Sequence, residues 1–157
     1  MRPSLKVVVG ADHGGYALKE NLKPYLSGLG YRVVDVGTNS EDRVDYPHYA
    51  LKVAEAVSRG AADRGVLICK SGIGMTVVSN KFPGVRAALC QDERAARQSR
   101  EHVDANVLVF GSFWTPPPKA KKIVKIWLAT PFEGGRHLRR VSQITRIEKI
   151  VLKRSRR

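Results

Sequence analysis

A cysteine at the end of a predicted buried strand is the residue of this chain best suited to chemistry. Cys69 ends the apolar run Gly65-Val66-Leu67-Ile68-Cys69, and the glycine-spaced turn Lys70-Ser71-Gly72-Ile73-Gly74 follows at once. Such a turn directs backbone N–H groups at an atom above the thiol, and a helix that begins there adds a positive field. We therefore expect the reactive thiolate of Cys69 to be favoured over the thiol. A packed cysteine before a tight turn is the alternative interpretation.

Three familiar motifs do not fit this turn. A dinucleotide-binding G-x-G-x-x-G needs a third glycine, and Val77 stands at that position. A cysteine phosphatase loop would place an arginine six positions after the cysteine, where this chain has Met75. A thioredoxin-type Cys-x-x-Cys fails because residue 72 is glycine. A thiolate beside a nest of N–H groups remains, which suits proton abstraction next to a carbonyl with stabilisation of an enediolate oxygen.

Other polar residues are candidates for a site, and the first three of them are expected at the same edge of the molecule. Asp12 and His13 follow the first predicted strand, and His102 ends a predicted helix just before the fifth. Arg136 and Arg140 are four positions apart on the last predicted helix, so they share one face near its N-terminus, an arrangement that suits a phosphate. The alternatives are a structural histidine and a basic helix face exposed to solvent.

Strands and helices alternate along the whole chain. The apolar runs predict strands over residues 6–10, 31–36, 65–69, 85–90 and 107–110. Helical spacing and capping residues predict helices over 15–29, 45–60, 74–81, 92–102 and 116–130, and one more after Gly135. This pattern indicates a Rossmann-like, three-layer αβα sandwich with a five-stranded parallel sheet and helices on both faces. In such sheets ligands bind beyond the carboxyl ends of the strands, which is where the polar segments after strands one, three and five should meet.

Composition indicates one domain with an excess of positive charge. The 157 residues are enough for a single core, and we predict a domain over residues 1–152 with a basic tail over 153–157. The 28 Lys and Arg residues against 14 Asp and Glu leave a net charge of +14, which raises the question of nucleic acid. We favour a basic solvated surface with an anion-binding site over nucleic-acid binding, because no aromatic residues alternate with the basic ones.

The location predicted for this protein is the cytoplasm. No stretch of eighteen or more apolar residues predicts a membrane span, and the start of the sequence lacks the hydrophobic region of a signal peptide. Cys69 and Cys90 lie at the ends of different predicted strands and match no zinc spacing, so we predict no metal centre. A reducing compartment suits two such cysteines.

Together these residues resemble the family of type B ribose-5-phosphate isomerase and the galactose-6-phosphate isomerase subunits. The resemblance extends over nearly the whole chain, and several motifs in the right order are far more specific than any one alone. The matching segments are Val9-Gly10-Ala11-Asp12-His13-Gly14-Gly15, Asp45-Tyr46-Pro47, Ile68-Cys69, Ser71-Gly72-Ile73-Gly74, Asn80-Lys81-Phe82, Ser99-Arg100, His102, Asn106-Val107-Leu108, Glu133-Gly134-Gly135-Arg136-His137 and Arg140-Val141.

The resemblance implies an aldose–ketose isomerase that works without a metal or an organic cofactor. In the family the cysteine that matches Cys69 moves a proton between C1 and C2 through an enediolate, and the histidine that matches His102 opens the furanose ring. One branch instead uses a glutamate at the position of Met75, so this chain resembles the cysteine branch.

The remaining site residues also follow from the resemblance. Backbone N–H groups of the loop matching Lys70, Ser71, Gly72, Ile73 and Gly74 hold the enediolate oxygen. Residues matching Asp12, His13, Arg136 and Arg140 bind the hydroxyl and phosphate groups of a sugar phosphate. Family members are dimers or tetramers in which two chains build each site, so we expect a homodimer or a homotetramer.

Three departures from the family pattern bear on the substrate. The family usually has glycine at Lys70, asparagine at Val103 and a phosphate-binding arginine at Phe113. Ribose 5-phosphate and ribulose 5-phosphate are the leading pair. The alternatives are another aldose or aldose phosphate, such as galactose 6-phosphate, allose 6-phosphate or a free sugar, and a non-catalytic paralogue that binds sugar phosphates.

Overall fold

Short valine-rich runs form an all-parallel sheet in a computed structural model that describes residues 4–156. Parallel strands are covered by helices on both faces, which is why their sequences are continuously apolar rather than alternating. The sheet order is β2-β1-β3-β5-β4. The strands are β1 (Lys6–Ala11), β2 (Arg32–Asp35), β3 (Arg64–Cys69), β4 (Ala87–Leu89) and β5 (Val107–Gly111).

Five helices cover the two faces of this sheet and divide the core in two, and a sixth helix packs on the fourth. The helices are α1 (Tyr16–Gly28), α2 (Tyr46–Ser58), α3 (Ile73–Ser79), α4 (Glu93–Val103), α5 (Pro117–Ala129) and α6 (Arg136–Arg154). On one face α1, α4 and α5 bury residues such as Leu22 and Trp127 against the sheet. On the other face α2 and α3 contribute Val53 and Met75. The predicted Rossmann-like three-layer sandwich is therefore confirmed.

The helix ends differ in places from those that the sequence predicts. Asp92 caps α4, because its Oδ1 accepts a hydrogen bond of 2.7 Å from the Ala95 amide, whereas Asp45 precedes α2 without a side-chain capping bond. α6 includes Lys153 and Arg154, which we assigned to the tail, so the last helix continues two residues into that segment. Arg157 lies outside the described residues, and the division at residue 152 stays a prediction. Within residues 4–156 no helix is both long and apolar enough to cross a membrane.

The direction of the strands gives the sheet two distinct edges. We call the edge where the strands end, at Ala11, Cys69 and Gly111, the carboxyl edge, and the edge where they begin the amino edge. Each helix that follows a strand in a parallel sheet returns the chain to the amino edge. A residue near the end of such a helix therefore lies far from the ends of the strands.

Candidate active site

Cys69 is the last residue of β3 and faces the turn that leads into α3. The residue is 5% exposed, and its Sγ accepts a hydrogen bond of 3.0 Å from the Gly72 amide. The backbone amides of Ser71 and Met75 also face the sulfur and lower the pKa of the thiol. These amides form a nest of N–H groups directly beside the thiol, and they are directed at the sulfur itself rather than at an atom above it.

Gly72 is required for this geometry. Its φ of +78° lies in the left-handed region, which a residue with a Cβ adopts only with strain. A Cβ at this position would also lie 2.5 Å from Leu89 Cδ1 and 2.8 Å from the Phe110 carbonyl oxygen. Gly74 is confined in a similar way, because a Cβ there would lie 2.4 Å from the Tyr46 ring. Gly72 therefore permits the close approach of the turn to β5, and Gly74 permits the Tyr46 ring to lie against the start of α3.

Three loops meet at the carboxyl edge around this turn. Ser112, after β5, donates its amide to the Cys69 carbonyl oxygen at 2.9 Å and its hydroxyl to the Gly14 carbonyl oxygen at 2.7 Å. The amide of Phe113 donates to the Lys70 carbonyl oxygen at 3.1 Å. The expected meeting of the segments after strands one, three and five is therefore confirmed.

Asp12 and His13 lie in the first of these loops, and each is held by the backbone. Asp12 is buried, and its Oδ1 accepts hydrogen bonds from the Gly14 amide at 2.9 Å and the Gly15 amide at 3.2 Å. His13 contacts Val44 through Nδ1, which lies 3.2 Å from the amide nitrogen and 3.1 Å from the carbonyl oxygen. Both side chains are thus oriented before any ligand binds.

Lys70 and Phe113 form an exposed pair beside the thiol. Phe113 is 69% exposed, and the Lys70 ammonium lies 5.9 Å from the centre of its ring. The Lys70 stem packs over Gly14, where an added Cβ would lie 2.4 Å from Lys70 Cγ. The side chain that departs from the family pattern at position 70 therefore places a positive charge next to the apolar ring at position 113.

The pKa of Cys69 does not follow the expectation from the sequence. Burial of the thiol raises its pKa, the Gly72 amide opposes that increase, and the negative charge of Asp12 adds to it. Desolvation of the sulfur is the largest of these effects, so it outweighs the contacts with the backbone amides. In a single chain the thiol form is favoured, and the prediction of a favoured thiolate is wrong at this level. The Asp12 contribution also places that carboxylate near the sulfur.

His102 lies at the amino edge, and the prediction that it shares an edge with Cys69 is wrong for one chain. α4 begins after β4 at the carboxyl edge and runs back along the sheet, and His102 is near its end. The eleven residues of α4 extend about 16 Å. Cys69 and His102 are therefore separated by about the height of the sheet.

A second group of polar residues surrounds His102. Its ring stacks on that of His137 with centroids 4.2 Å apart and an angle of 8° between the planes. Glu133 Oε2 lies 3.9 Å from His102 Nε2 and 3.3 Å from His137 Nε2. Arg136 and Arg140 follow on the first turns of α6, and both are exposed.

We call His102, Glu133, Arg136, His137 and Arg140 the amino-edge cluster. Burial lowers the pKa of His137, and the neighbouring positive charges lower it further, so its imidazole is neutral at neutral pH. Glu133 and His137 were not among the predicted site residues. Both belong to the segment Glu133-Gly134-Gly135-Arg136-His137 that carries the resemblance, but residue spacing alone does not indicate that this segment packs on the end of α4.

We call Asp12, His13, Cys69 and residues 70–74 the carboxyl-edge cluster. It brings together eight of the eleven predicted site residues, whereas His102, Arg136 and Arg140 lie in the amino-edge cluster. One cluster holds the thiol and the amide nest. The other holds the histidine and the two guanidinium groups.

Residues 7–144, which include both clusters, match the family model described as Ribose/Galactose Isomerase. The chain belongs to this family. It is therefore an enzyme of the aldose–ketose isomerase class, as the resemblance implied.

Individual relatives agree with this assignment over almost their whole length. Ribose-5-phosphate isomerase B of Escherichia coli is 48% identical over 143 residues, which cover 91% of this chain and 96% of the relative. The structure of Clostridium thermocellum ribose-5-phosphate isomerase B superposes with a TM-score of 0.91 at 48% identity, covering 94% of this chain and 99% of the other. The Mycoplasma genitalium ribose-5-phosphate isomerase B, solved with bound ribulose-5-phosphate, gives a TM-score of 0.88 at 39% identity, covering 92% and 96%.

Proposed function

We propose that this family member interconverts ribose 5-phosphate and ribulose 5-phosphate through an enediolate, with Cys69 as the base. The observation that carries the proposal is the Cys69 thiol held 3.0 Å from the Gly72 amide at the carboxyl edge, in a chain of the aldose–ketose isomerase class. The close relatives named as ribose-5-phosphate isomerases support this substrate pair. The reaction would serve the pentose phosphate pathway in the cytoplasm.

The chemistry needs one proton to move between two adjacent carbons. The Cys69 thiolate removes the proton from C2 of the open-chain aldose, and the electron pair moves to form the enediolate. The sulfur then returns that proton to C1, while the hydroxyl proton on O2 is lost and one is gained on O1. The amides of residues 70–74 stabilise the negative oxygen, because preorganised N–H groups act most strongly where charge develops.

A second chain would complete this site. His102, which we assign to ring opening, lies near the far end of α4, a helix about 16 Å long that begins at the carboxyl edge, and Arg136 and Arg140 lie with it at the amino edge. Lys70 belongs to the carboxyl-edge cluster, but burial still raises the pKa of the Cys69 thiol in the single chain, so further positive charge is needed to offset it. Guanidinium groups from another copy would lower the pKa of Cys69 toward the range that catalysis requires. A homodimer with shared sites meets both requirements, and a homotetramer built from such dimers would meet them equally.

The pair of Lys70 and Phe113 bears on which sugar is preferred. An apolar ring cannot bind a phosphate oxygen, but the Lys70 ammonium 5.9 Å from that ring provides a charge in the same place. We infer that Lys70 replaces the charge lost at position 113, and that Asp12 and His13 bind sugar hydroxyls or phosphate beside it. Another aldose phosphate or a free aldose is the alternative substrate, and a paralogue that binds sugar phosphate without turnover is the alternative function.

The test uses a panel of aldose phosphates and free aldoses, followed by ketose formation and by deuterium exchange at C2 in D₂O. We expect ribose 5-phosphate to be the best substrate. Cys69→Ser should abolish both signals, because an alkoxide is far harder to form than a thiolate near neutral pH. Cys90→Ser is the matched control, since Cys90 is buried against Ser99. Undiminished exchange in Cys69→Ser would remove the proposed base, and turnover of none of the panel would favour the non-catalytic paralogue.

A further inference from the structure

The amino-edge cluster contains three potential metal ligands that no step of the proposed reaction requires as a set. His102, Glu133 and His137 each offer one ligand atom, and these atoms all lie within 4.8 Å of one another. Both ring Nε2 atoms face the same carboxylate oxygen, at 3.9 and 3.3 Å. Two imidazole nitrogens and a carboxylate oxygen form a donor set that suits Zn²⁺ and similar divalent ions.

The spacing fits a tetrahedral ion with little movement. Ligands about 2.1 Å from a zinc ion lie about 3.4 Å from each other. The distance of 3.3 Å between His137 Nε2 and Glu133 Oε2 already matches that value. The His102 side chain is 39% exposed, so its ring is able to turn from the stacked position and bring its nitrogen closer.

The surroundings of these three residues favour entry of an ion and limit its affinity. Glu133 is 56% exposed, which leaves a path from solvent, while His137 is buried and provides a rigid anchor. Against this, Arg136 Nε lies 3.4 Å from His137 Nε2, and its positive charge opposes a cation. The ion must displace that contact, so binding is weaker than at an isolated site of the same ligands.

We propose that His102, Glu133 and His137 form an inhibitory binding site for a divalent cation of the zinc class. The inhibition rests on the proposed function, because an ion on His102 occupies the nitrogen that would transfer protons during ring opening. Three protein ligands leave one coordination position open, as in zinc sites that accept a fourth ligand from outside. The ion is an inhibitor here and not a cofactor of the reaction.

The test measures binding directly on the full chain after chelator treatment and desalting. Zn²⁺ is titrated calorimetrically, and Co²⁺ is used as a spectroscopic probe because a tetrahedral Co²⁺ site absorbs strongly in the visible range. We expect one ion per chain. Glu133→Gln and His137→Asn should each weaken binding at least about tenfold. Arg136→Ala should strengthen binding severalfold, because it removes the opposing charge. His48→Asn, at an exposed histidine on α2, is the matched control and should change neither binding nor turnover.

The variants also separate this site from the thiol, which is the other plausible zinc ligand. Cys69→Ser should keep the parent affinity for Zn²⁺. Loss of binding in Cys69→Ser, or parent affinity in both Glu133→Gln and His137→Asn, would overturn the proposed site. Turnover of ribose 5-phosphate should fall as Zn²⁺ is added and recover fully with EDTA. Isomerase activity without Zn²⁺ binding would refute the metal site alone. Zn²⁺ binding that EDTA reverses, without turnover of any sugar, would refute the proposed function.

Discussion

A mixed dimer of one inactive and one strongly impaired variant should recover activity if each site is shared between chains. Cys69 ends a strand at the carboxyl edge, whereas α4, which is about 16 Å long, carries His102 back to the amino edge, so we expect that a single chain cannot bring both to one sugar. In a dimer that pairs a Cys69→Ser chain with a His102→Ala chain, one site carries both changes. The other site carries neither. One intact site of two predicts about half of the parent turnover per dimer.

The assay co-expresses the two chains with different affinity tags and purifies the mixed assembly over both columns. Light scattering gives the number of chains, and ketose formation from ring-closed ribose 5-phosphate gives the rate. The turnover of each single variant, measured by itself, sets the baseline. Cys69→Ser should be inactive, and His102→Ala should be reduced by roughly 10²–10⁴-fold, the usual contribution of general acid–base catalysis. Against that baseline, recovery to half of the parent rate is unmistakable.

The matched control places both substitutions in one chain and pairs it with an unchanged chain. If sites are shared, each site of this dimer loses one of the two residues, and the activity stays at the baseline. If both residues instead served one site in the same chain, the results would be reversed, with half activity in the control and none in the first mixture. Half activity in the control would therefore refute the argument from the two edges of the sheet, and so would a fully active monomer.

Three further predictions follow from the same geometry. Gly84 has a φ of +75° and nothing lies within 4 Å of a new Cβ, so Gly84→Ala should lower the free energy of unfolding by roughly 1–2 kcal/mol. Gly72→Ala should lower it by about 1–3 kcal/mol more, because its new Cβ would lie 2.5 and 2.8 Å from neighbouring atoms. Equal midpoints of the two variants in a urea titration would contradict the packing argument. Replacing both Arg136 and Arg140 with alanine should weaken binding of phosphorylated sugars about tenfold to hundredfold and leave binding of the free sugar unchanged. Arg139→Ala, the control, should leave binding of phosphorylated sugars unchanged. Unchanged affinity of the double variant for inorganic phosphate would assign both arginines to an exposed surface. In a Cys90→Ser background, the pH profile of Cys69 alkylation by iodoacetamide should shift to higher pH when Arg136 and Arg140 are replaced. Burial already raises the pKa of the thiol, and loss of the positive charges raises it further. An unshifted profile would mean that no guanidinium reaches the sulfur.

Local sequence patterns predicted the layers and most elements of this fold. Valine-rich runs such as the one in β1 are buried on both faces, and that requires helices on both sides of a parallel sheet. The ends of elements were less certain, because they depend on contacts from elsewhere in the chain. Asp45 precedes α2 without a capping bond, and β4 has only three residues where six were predicted.

The carboxyl-edge cluster was also predictable from the sequence. Its residues follow strand ends directly, and the topology of a parallel sheet places those ends side by side. The amide nest needed only the glycine spacing around Gly72. The pKa of Cys69 was not predictable in this way, because desolvation depends on what covers the thiol and not on the residues beside it in the chain.

The sequence by itself therefore determined the sheet, the isomerase family and the residues that surround the thiol, because each depends on patterns that are local along the chain. The position of His102 at the opposite edge also follows from the alternation of strands and helices, since α4 must run back along the sheet before β5 begins, and the prediction that it shares an edge with Cys69 overlooked this return. Only the tertiary structure placed Glu133 and His137 against His102, because they come from the loop before α6 and from the first turn of α6, more than thirty residues later. Contacts between distant segments depend on how helices pack, and no local spacing encodes that packing.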